Sequence, residues 1–322
     1  MSLGSPLASL GYFHQSRYHA MQELYIGLMS GTSLDGVDGV LVDFSDDFKV
    51  LAHHTLAFSS RLKTELLALN TAGENELHRS NMCANELAQI YAQVCKALLE
   101  QTGLAARDIS AVGAHGQTVR HRPGAFDGVG YSVQLNNPAL LAERTGIRVC
   151  ADFRSRDIAA GGQGAPLVPA FHKSLFQERD SSVCVLNLGG ISNLSVLPAL
   201  RSNDDTITGF DCGPANCLMD AWCLLHTGQA FDASGAWAAQ GAVLQPLLEC
   251  LLDTQYFKAL APKSTGRDLF NMEWLEHKLQ RVDLHTRSLT LLVLWIFKRH
   301  WLRYAFKPAL TASFNTPTHP SA

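Results

Sequence analysis

Ten residues near the start of the chain combine the chemical groups that bind phosphate. Residues 29–38 read Met-Ser-Gly-Thr-Ser-Leu-Asp-Gly-Val-Asp and lie between two apolar runs, so they are predicted to form the tip of a β-hairpin. Glycines let a ligand approach the backbone, and the N–H groups of a tight turn can bind phosphate oxygens. The carboxylates of Asp35 and Asp38 suit Mg²⁺. An ordinary polar hairpin turn explains the same composition, so both interpretations stay open at this point.

Four further polar segments follow strand-like runs or precede helix-like ones. They are 113–118 with His115, Gln117 and Thr118; 152–166 with Arg154; 209–216 with Asp211; and 263–267. Arginine suits anion recognition, and an aspartate at a strand end can act as a general base on a ligand in a cleft.

Each of these segments also has a plainer explanation. His115 alone is typical of a structural hydrogen-bonding residue, and 152–166 is compatible with a surface loop. Asp211 would serve as a cap of the helix that follows it, and 263–267 as a solvated turn. Five polar segments of this kind together are difficult to explain without a polar ligand.

Several enzyme classes are excluded by motif. The chain has no G-x-x-x-x-G-K-[ST] phosphate loop and none of the protein-kinase signatures. Ser30 is flanked by Leu28 and Thr32 where a serine-hydrolase elbow needs glycine. His53 and His54 are adjacent on a predicted strand and point to opposite faces, so they cannot share a metal ion.

Strand-like and helix-like runs alternate in a way that predicts an α/β fold. Strands are expected at 25–29, 37–44, 49–58, 109–114 and 147–153, and helices at about 60–70, at 76–102 and from 138 onward. A second hairpin is predicted from strands 183–188 and 191–197 around Gly189 and Gly190. Because it resembles the first hairpin, we expect two lobes that face one cleft; two unrelated hairpins are the alternative.

The composition is that of a globular protein. At 322 residues, with 47% hydrophobic and 17% charged residues, the chain suits two domains, and a net charge of −3 argues against a nucleic-acid-binding protein. The eight cysteines form no C-x₂-C pair, which fits reduced thiols. The first 24 residues lack a signal-peptide core, and the longest apolar run, 289–297, is too short to span a bilayer. We therefore predict a cytoplasmic protein without membrane association.

Taken together, these motifs resemble those of anhydro-N-acetylmuramic acid kinases. The resemblance is collinear from about residue 25 to 271 and includes Asn187-Leu-Gly-Gly and Gly209-Phe-Asp-Cys-Gly-Pro. It implies a sugar-kinase/Hsp70/actin fold with two RNase-H-like lobes. Acetate kinases and actin-like ATPases share that fold, but the segments around Asp211 and 152–166 favour the anhydrosugar family.

The resemblance also implies a reaction and its residues. ATP, Mg²⁺ and water would convert 1,6-anhydro-N-acetylmuramic acid to N-acetylmuramic acid 6-phosphate in cell-wall recycling, with Asp211 as the catalytic base. Asp35 is the expected metal ligand, and Arg154 the expected partner of the substrate carboxylate. The expected ATP-binding residues are Gly31, Thr32, Ser33, Leu34, Asp35, Gly36, Val37, Asp38, Gly189 and Gly190. The expected substrate-binding residues are His115, Gln117, Thr118 and Arg154.

The end of the chain departs from this pattern. All 29 acidic residues precede residue 284, and from about His285 onward we find no resemblance to the family. The predicted organisation is an extension at 1–24, lobes at 25–182 and 183–283, and an atypical tail at 284–322. The second lobe would then be incomplete and lack its adenosine-binding part. A shifted reading frame and a truncated, inactive homologue are the alternatives, and a homodimer is the oligomer considered.

Overall fold

The chain forms a mixed α/β structure with two β-sheets. The computed structural model describes residues 23–46, 48–203 and 205–282. The first sheet contains β1 (Leu24–Ser30), β2 (Gly36–Asp43), β3 (Lys49–Ala57), β4 (Ala111–Pro123), β5 (Gly130–Leu135) and β6 (Val149–Ala151). The second contains β7 (Val183–Leu188), β8 (Ile191–Leu197) and β9 (Thr208–Pro214). The helices are α1 (Ser60–Ala68), α2 (Glu76–Thr102), α3 (Pro138–Thr145), α4 (Phe153–Ala159), α5 (Pro169–Phe176), α6 (Asn216–Thr227), α7 (Gln245–Leu252), α8 (Gln255–Lys258) and α9 (Met272–Gln280).

The topology of the first sheet places two of the polar segments side by side. Its strand order is β3-β2-β1-β4-β5, and β6 also pairs with β4. β1 and β2 form an antiparallel hairpin, whereas β1 and β4 run parallel. At the end of β1, Ser30 lies opposite Gln117 of β4. The tip of the first hairpin is therefore next to the segment that contains His115, Gln117 and Thr118.

One face of the first sheet packs against the long helix α2. Side chains of β1 alternate between buried and exposed, because successive residues of a strand point to opposite faces. The buried set, including Ile26 and Leu28, joins Leu87, Tyr91 and the rest of the apolar stripe of α2 in one core. Gly39 of β2 lies against this helix, and a Cβ atom there would meet Val94 Cγ1 at 2.3 Å.

The second sheet aligns three polar residues in one row. β7, β8 and β9 are antiparallel neighbours, and the register pairs Asn187 with Asn193 and Asn193 with Asp211. Directly opposed residues of neighbouring strands lie on the same face of a sheet. A second core, formed largely by α6, α7 and α9, adjoins the start of β8 at Ile191.

Most predicted elements are confirmed, including both hairpins, α1 and α2. Two predictions were wrong in detail. The strand expected at 109–114 continues to Pro123, so His115, Gln117 and Thr118 lie inside β4 and not after it. The segment 152–166, read as a loop, begins with helix α4.

Some predictions lie outside the described residues or concern properties that the fold does not address. The atypical tail at 284–322 and most of the extension at 1–24 fall outside the described ranges. The lobe boundaries, the homodimer and the cytoplasmic location stay predictions. All eight cysteines are free, and five are buried. Within the ranges described above, no helix combines the length and apolar character needed to cross a membrane.

The close contact of Gly39 with α2 yields a test of the packing. Gly39→Ala should reduce the free energy of unfolding by about 1–3 kcal/mol, because the stiff Val94 side chain and the backbone must move apart. Gly27→Ala is the matched control on the neighbouring strand, since its nearest contact would be 3.4 Å, to Val40 Cγ2. Chemical denaturation measures both variants; equal stability of the two would contradict this packing.

Candidate functional site

Asp211 is a buried carboxylate in the second sheet, only 5% exposed. Its Oδ2 accepts a hydrogen bond from the Thr265 N–H at 2.9 Å. Its backbone is held as well: the Asp211 N–H donates to Lys263 O at 2.9 Å, and the Tyr256 hydroxyl donates to Asp211 O at 2.7 Å. The Asp211 side chain does not cap α6, whose N-cap residue is Ala215 and has no side-chain cap. The capping explanation was therefore wrong.

The surroundings of Asp211 favour its protonated form more than water does. Burial raises the pKa of Asp211 from 3.8 to about 6. The Thr265 hydrogen bond and the positive charge of Arg154 oppose this shift but do not cancel it. A carboxylate with a pKa near 6 is ionised at neutral pH and can still take a proton readily, which is what a general base requires.

Arg154 and His115 form a hydrogen-bonded pair next to Asp211. Arg154 Nη2 lies 2.8 Å from His115 Nε2, and His115 Nδ1 lies 2.7 Å from Gly116 O. Nδ1 therefore carries the proton that is donated to the carbonyl, and Nε2 accepts from the guanidinium. Burial, together with the Arg154 charge, lowers the pKa of His115 to about 4, so this ring is neutral at neutral pH. A second Arg154 nitrogen, Nη1, donates to Gly164 O.

The tips of the two hairpins meet. A Cβ atom on Gly190 would lie 2.4 Å from Thr32 Oγ1 and 3.3 Å from Ser33 N, so only glycine fits at this contact. Gln117 Nε2 donates to Gly31 O at 3.2 Å, and Arg267 Nε donates to Thr32 O. The first tip is thus held from β4 and from the 263–267 segment. Leu34 of this tip is buried and has a φ of 61°, and Gly36 passes directly against the backbone of Leu56.

The acidic residues of the first tip differ in their surroundings. Asp35 is largely exposed and lies 3.9 Å from Lys63 Nζ. The pKa of Asp220 on α6 is raised mainly by burial and, to a smaller extent, by the negative charge of Asp35, so the two carboxylates lie near each other. Asp38, by contrast, accepts a 2.6 Å hydrogen bond from Thr55 on β3. The described residues contain no group of three or more metal-ligating side chains.

For several residues of the site, the sequence alone did not predict the contacts that they make. The sequence singled out 263–267 as a polar segment, but not that Thr265 contacts Asp211 or that Arg267 contacts the first tip. Because these contacts are half-buried, the explanation of this segment as a solvated turn was wrong. Asn193, opposite Asp211 in the register, and Asp220 were missed entirely.

Unpaired polar atoms concentrate in these segments. In the parts of the chain described, the buried side-chain atoms without a hydrogen-bond partner are Gln117 Oε1, both amide atoms of Asn136, Arg154 Nε, Asn193 Oδ1 and Thr265 Oγ1. Asn136 lies beside Gly116, where an added Cβ would come within 3.4 Å of the Asn136 Cβ. Buried polar groups are normally satisfied, so a cluster of exceptions indicates a polar ligand or bound water.

The chain is similar in sequence to one family of known proteins over most of its length. The sequence profile of anhydro-N-acetylmuramic acid kinase matches residues 23–293, so the similarity extends about eight residues beyond the limit expected from the sequence. The anhydro-N-acetylmuramic acid kinase of Albidiferax ferrireducens is 59% identical over 81% of this chain and 72% of its own length. That of Variovorax paradoxus is 61% identical over 79% of this chain and 68% of its own length.

Solved structures resemble the chain more distantly. A reductive activator for a corrinoid, iron-sulfur protein has a TM-score of 0.37 at 16% identity, over 61% of this chain and 32% of its own length. No conclusion follows from a similarity of that size. The profile match and the two relatives are decisive: the chain belongs to the anhydro-N-acetylmuramic acid kinase family.

Proposed function

We propose that this chain is an ATP-dependent kinase of 1,6-anhydro-N-acetylmuramic acid, acting in peptidoglycan recycling. Family membership supports the proposal, and the observation that carries it is the buried Asp211 with unpaired polar atoms on three neighbouring residues, Arg154, Asn193 and Thr265. A structural aspartate of this burial would be expected to have its neighbours satisfied.

In the proposed reaction Asp211 acts as general base. Its carboxylate takes a proton from a water molecule, whose oxygen forms a bond to the anomeric carbon of the sugar while the bond from that carbon to O6 breaks. The freed O6 accepts the γ-phosphoryl group, and ADP leaves. The raised pKa of Asp211 suits this role because the carboxylate takes up a proton readily. The hydrogen bond from Thr265 holds Oδ2 in place and leaves the other oxygen available for the water molecule.

The substrate would be oriented by the residues around Asp211. Arg154 has two guanidinium nitrogens engaged by His115 and Gly164, and a third, Nε, that is buried without a partner. A carboxylate on the substrate would satisfy it, as Arg is suited to anions. We propose the same orienting role for His115, Gln117 and Thr118.

The phosphates of ATP would bind where the two hairpin tips meet. The proposed contacts are Gly31 to Asp38 on the first tip and Gly189 and Gly190 on the second. Leu34 and Val37 are buried, so they contribute through their backbone. When bound, Mg²⁺ would neutralise phosphate charge during transfer. Asp35, with Asp220 nearby, fits a metal that usually takes one or two protein carboxylates together with phosphates.

We also propose that the two sheets mark two RNase-H-like lobes, at about 25–182 and 183–283. Each begins with an antiparallel hairpin that has a glycine-containing tip, followed by a third antiparallel strand. The contact of Gly190 with Thr32 and Ser33 supports a shared cleft between them.

Replacing the base should separate catalysis from binding. Asp211→Asn should lower kcat by about 10²–10⁴-fold, since the amide cannot accept the proton, while binding of ATP and anhydrosugar changes little. Coupled ADP release and calorimetric titration measure the two effects, and Asp180→Asn, an exposed aspartate paired with Arg201, is the matched control. Full turnover by Asp211→Asn would exclude the assigned role. Absence of turnover in the unaltered chain would favour an inactive homologue.

The pKa of Asp211 predicts an acid limb in the pH profile. Below about pH 6, kcat/KM should fall tenfold per pH unit as Asp211 becomes protonated. His115 and His121 have pKa values lowered to about 4 and stay neutral across this range. Excess Mg²⁺ keeps the ATP phosphates ionised during the measurement. A profile that stays flat from pH 7 to 5 would contradict the assignment.

The same burial predicts a gain in stability when the charge is removed. At pH 8 the Asp211 carboxylate is ionised in both folded and unfolded chains, and only the folded state carries the desolvation cost. Asp211→Asn should therefore increase the free energy of unfolding by about 1–3 kcal/mol at pH 8. The gain should shrink as pH falls through 6 toward 4, where wild-type Asp211 is protonated. Denaturant unfolding at several pH values measures it, and a destabilised variant at pH 8 would count against the burial cost.

A further inference from the structure

The segment 263–268 joins the proposed base to the first hairpin tip. Thr265 donates its N–H to Asp211 Oδ2, Lys263 O accepts the Asp211 N–H, and Arg267 Nε donates to Thr32 O. A displacement of this short segment would therefore change the surroundings of the carboxylate and of the tip at the same time.

Two side-chain contacts fix this segment to β4 of the first sheet. Ser264 Oγ lies 3.0 Å from His121 Nε2, and the other nitrogen of that ring, Nδ1, lies 3.1 Å from Ser132 Oγ on β5. Asp268 Oδ2 lies 3.0 Å from Arg122 Nε, and the Asp268 side chain is only 12% exposed. His121 and Arg122 are consecutive residues of β4, so both contacts act on one point of the sheet.

The two contacts are partly removed from water; in the ion pair the Asp268 side chain is the more buried partner, and that of Arg122 is 44% exposed. His121 is only 8% exposed, and its hydrogen bond with the half-buried Ser264 is partly removed from water. The Asp268 carboxylate also lies against Gly266, where an added Cβ would be 2.7 Å from Asp268 Oδ1. A surface ion pair contributes little, but one partly removed from water holds its geometry better.

We infer that His121 and Arg122 are positioning residues: through Ser264 and Asp268 they fix the 263–268 segment so that the Thr265 N–H stays on Asp211 and Arg267 stays on the first tip. This inference rests on the proposed role of Asp211 as base. None of the four residues needs to touch the reacting atoms.

The consequence is a specific change in the proton affinity of Asp211. The charged and titratable groups around Asp211 are Arg154 of α4, Cys212 of β9, Tyr256 of α8 and Lys263 of the segment itself. Displacement of the segment leaves Arg154, Cys212 and Tyr256 in place and removes the Thr265 donor, which favours the ionised form. The pKa of Asp211 should then rise.

Ser264→Ala and Asp268→Asn test the inference, with Asp180→Asn as the control for loss of an aspartate–arginine ion pair elsewhere. In both test variants the acid limb of kcat/KM should move up by about 0.5–1 pH unit, which lowers kcat/KM at pH 6 about two- to sixfold. KM for ATP should rise as well, because the hold of Arg267 on the first tip weakens. Ser264→Thr, which retains the hydroxyl, should restore the wild-type profile.

A second measurement does not depend on turnover. The pH above which the stabilisation by Asp211→Asn becomes constant reports the pKa of Asp211 in the folded chain, and this pH should rise by the same 0.5–1 unit when the substitution is made in the Ser264→Ala background. An unchanged pH in both measurements, with folded variants, would overturn the positioning role. A chain without turnover that still shows the shift in the stability measurement would refute the proposed function and leave the positioning role supported.

Discussion

The burial of one carboxylate is the constraint on which the site depends. Asp211 lies in the second sheet at 5% exposure, where an ionised group loses most of its hydration. One amide donor and one nearby guanidinium offset part of this cost, and the remainder appears as a raised pKa. Such a balance is unfavourable for stability and favourable for proton transfer, a combination found where proteins do chemistry.

The elements that supply this balance come from distant parts of the chain. Thr265 follows α8, Arg154 begins α4, and His115 lies inside β4. Each is held by its own partner: Arg154 by His115 and Gly164, and the Thr265 segment by β4. Because β4 supplies partners both to Arg154 and to the Thr265 segment, small changes in packing between the sheets would reach the carboxylate. Pre-organisation of this kind places the donors before a substrate arrives.

The contact between the two hairpin tips explains why residue 190 is a glycine. Gly190 lies so close to Thr32 that a methyl group would overlap the hydroxyl, and its carbonyl accepts the N–H groups of Ala215 and Cys217 at the start of α6. Asp211 lies a few residues before the same helix. The second tip, the start of α6 and the proposed base are therefore parts of one connected unit, and Arg267 connects this unit to the first tip.

Local pattern accounts for much of what the sequence predicted. Both hairpins, α2 and its buried stripe followed from periodicity and glycine placement, because these depend on neighbours in the chain. The polar segments also stood out as a set, and Asp211, Arg154 and His115 were candidate site residues before any geometry was known. The helical start of 152–166 and the extension of β4 past His115 were missed, because tertiary packing against β5 and the first tip outweighs their local glycine content.

The sequence by itself determined the fold class, the family resemblance and the candidate base, since each is encoded in residue types and their order along the chain. Only the tertiary structure decided that Thr265 donates to Asp211, that Asn193 lies opposite it, and that His121 and Arg122 hold the 263–268 segment. These contacts join residues from 18 to 146 positions apart in the chain, and no local spacing specifies such pairs. Their geometry follows from how the two sheets pack, and that packing sets the charge state of the site.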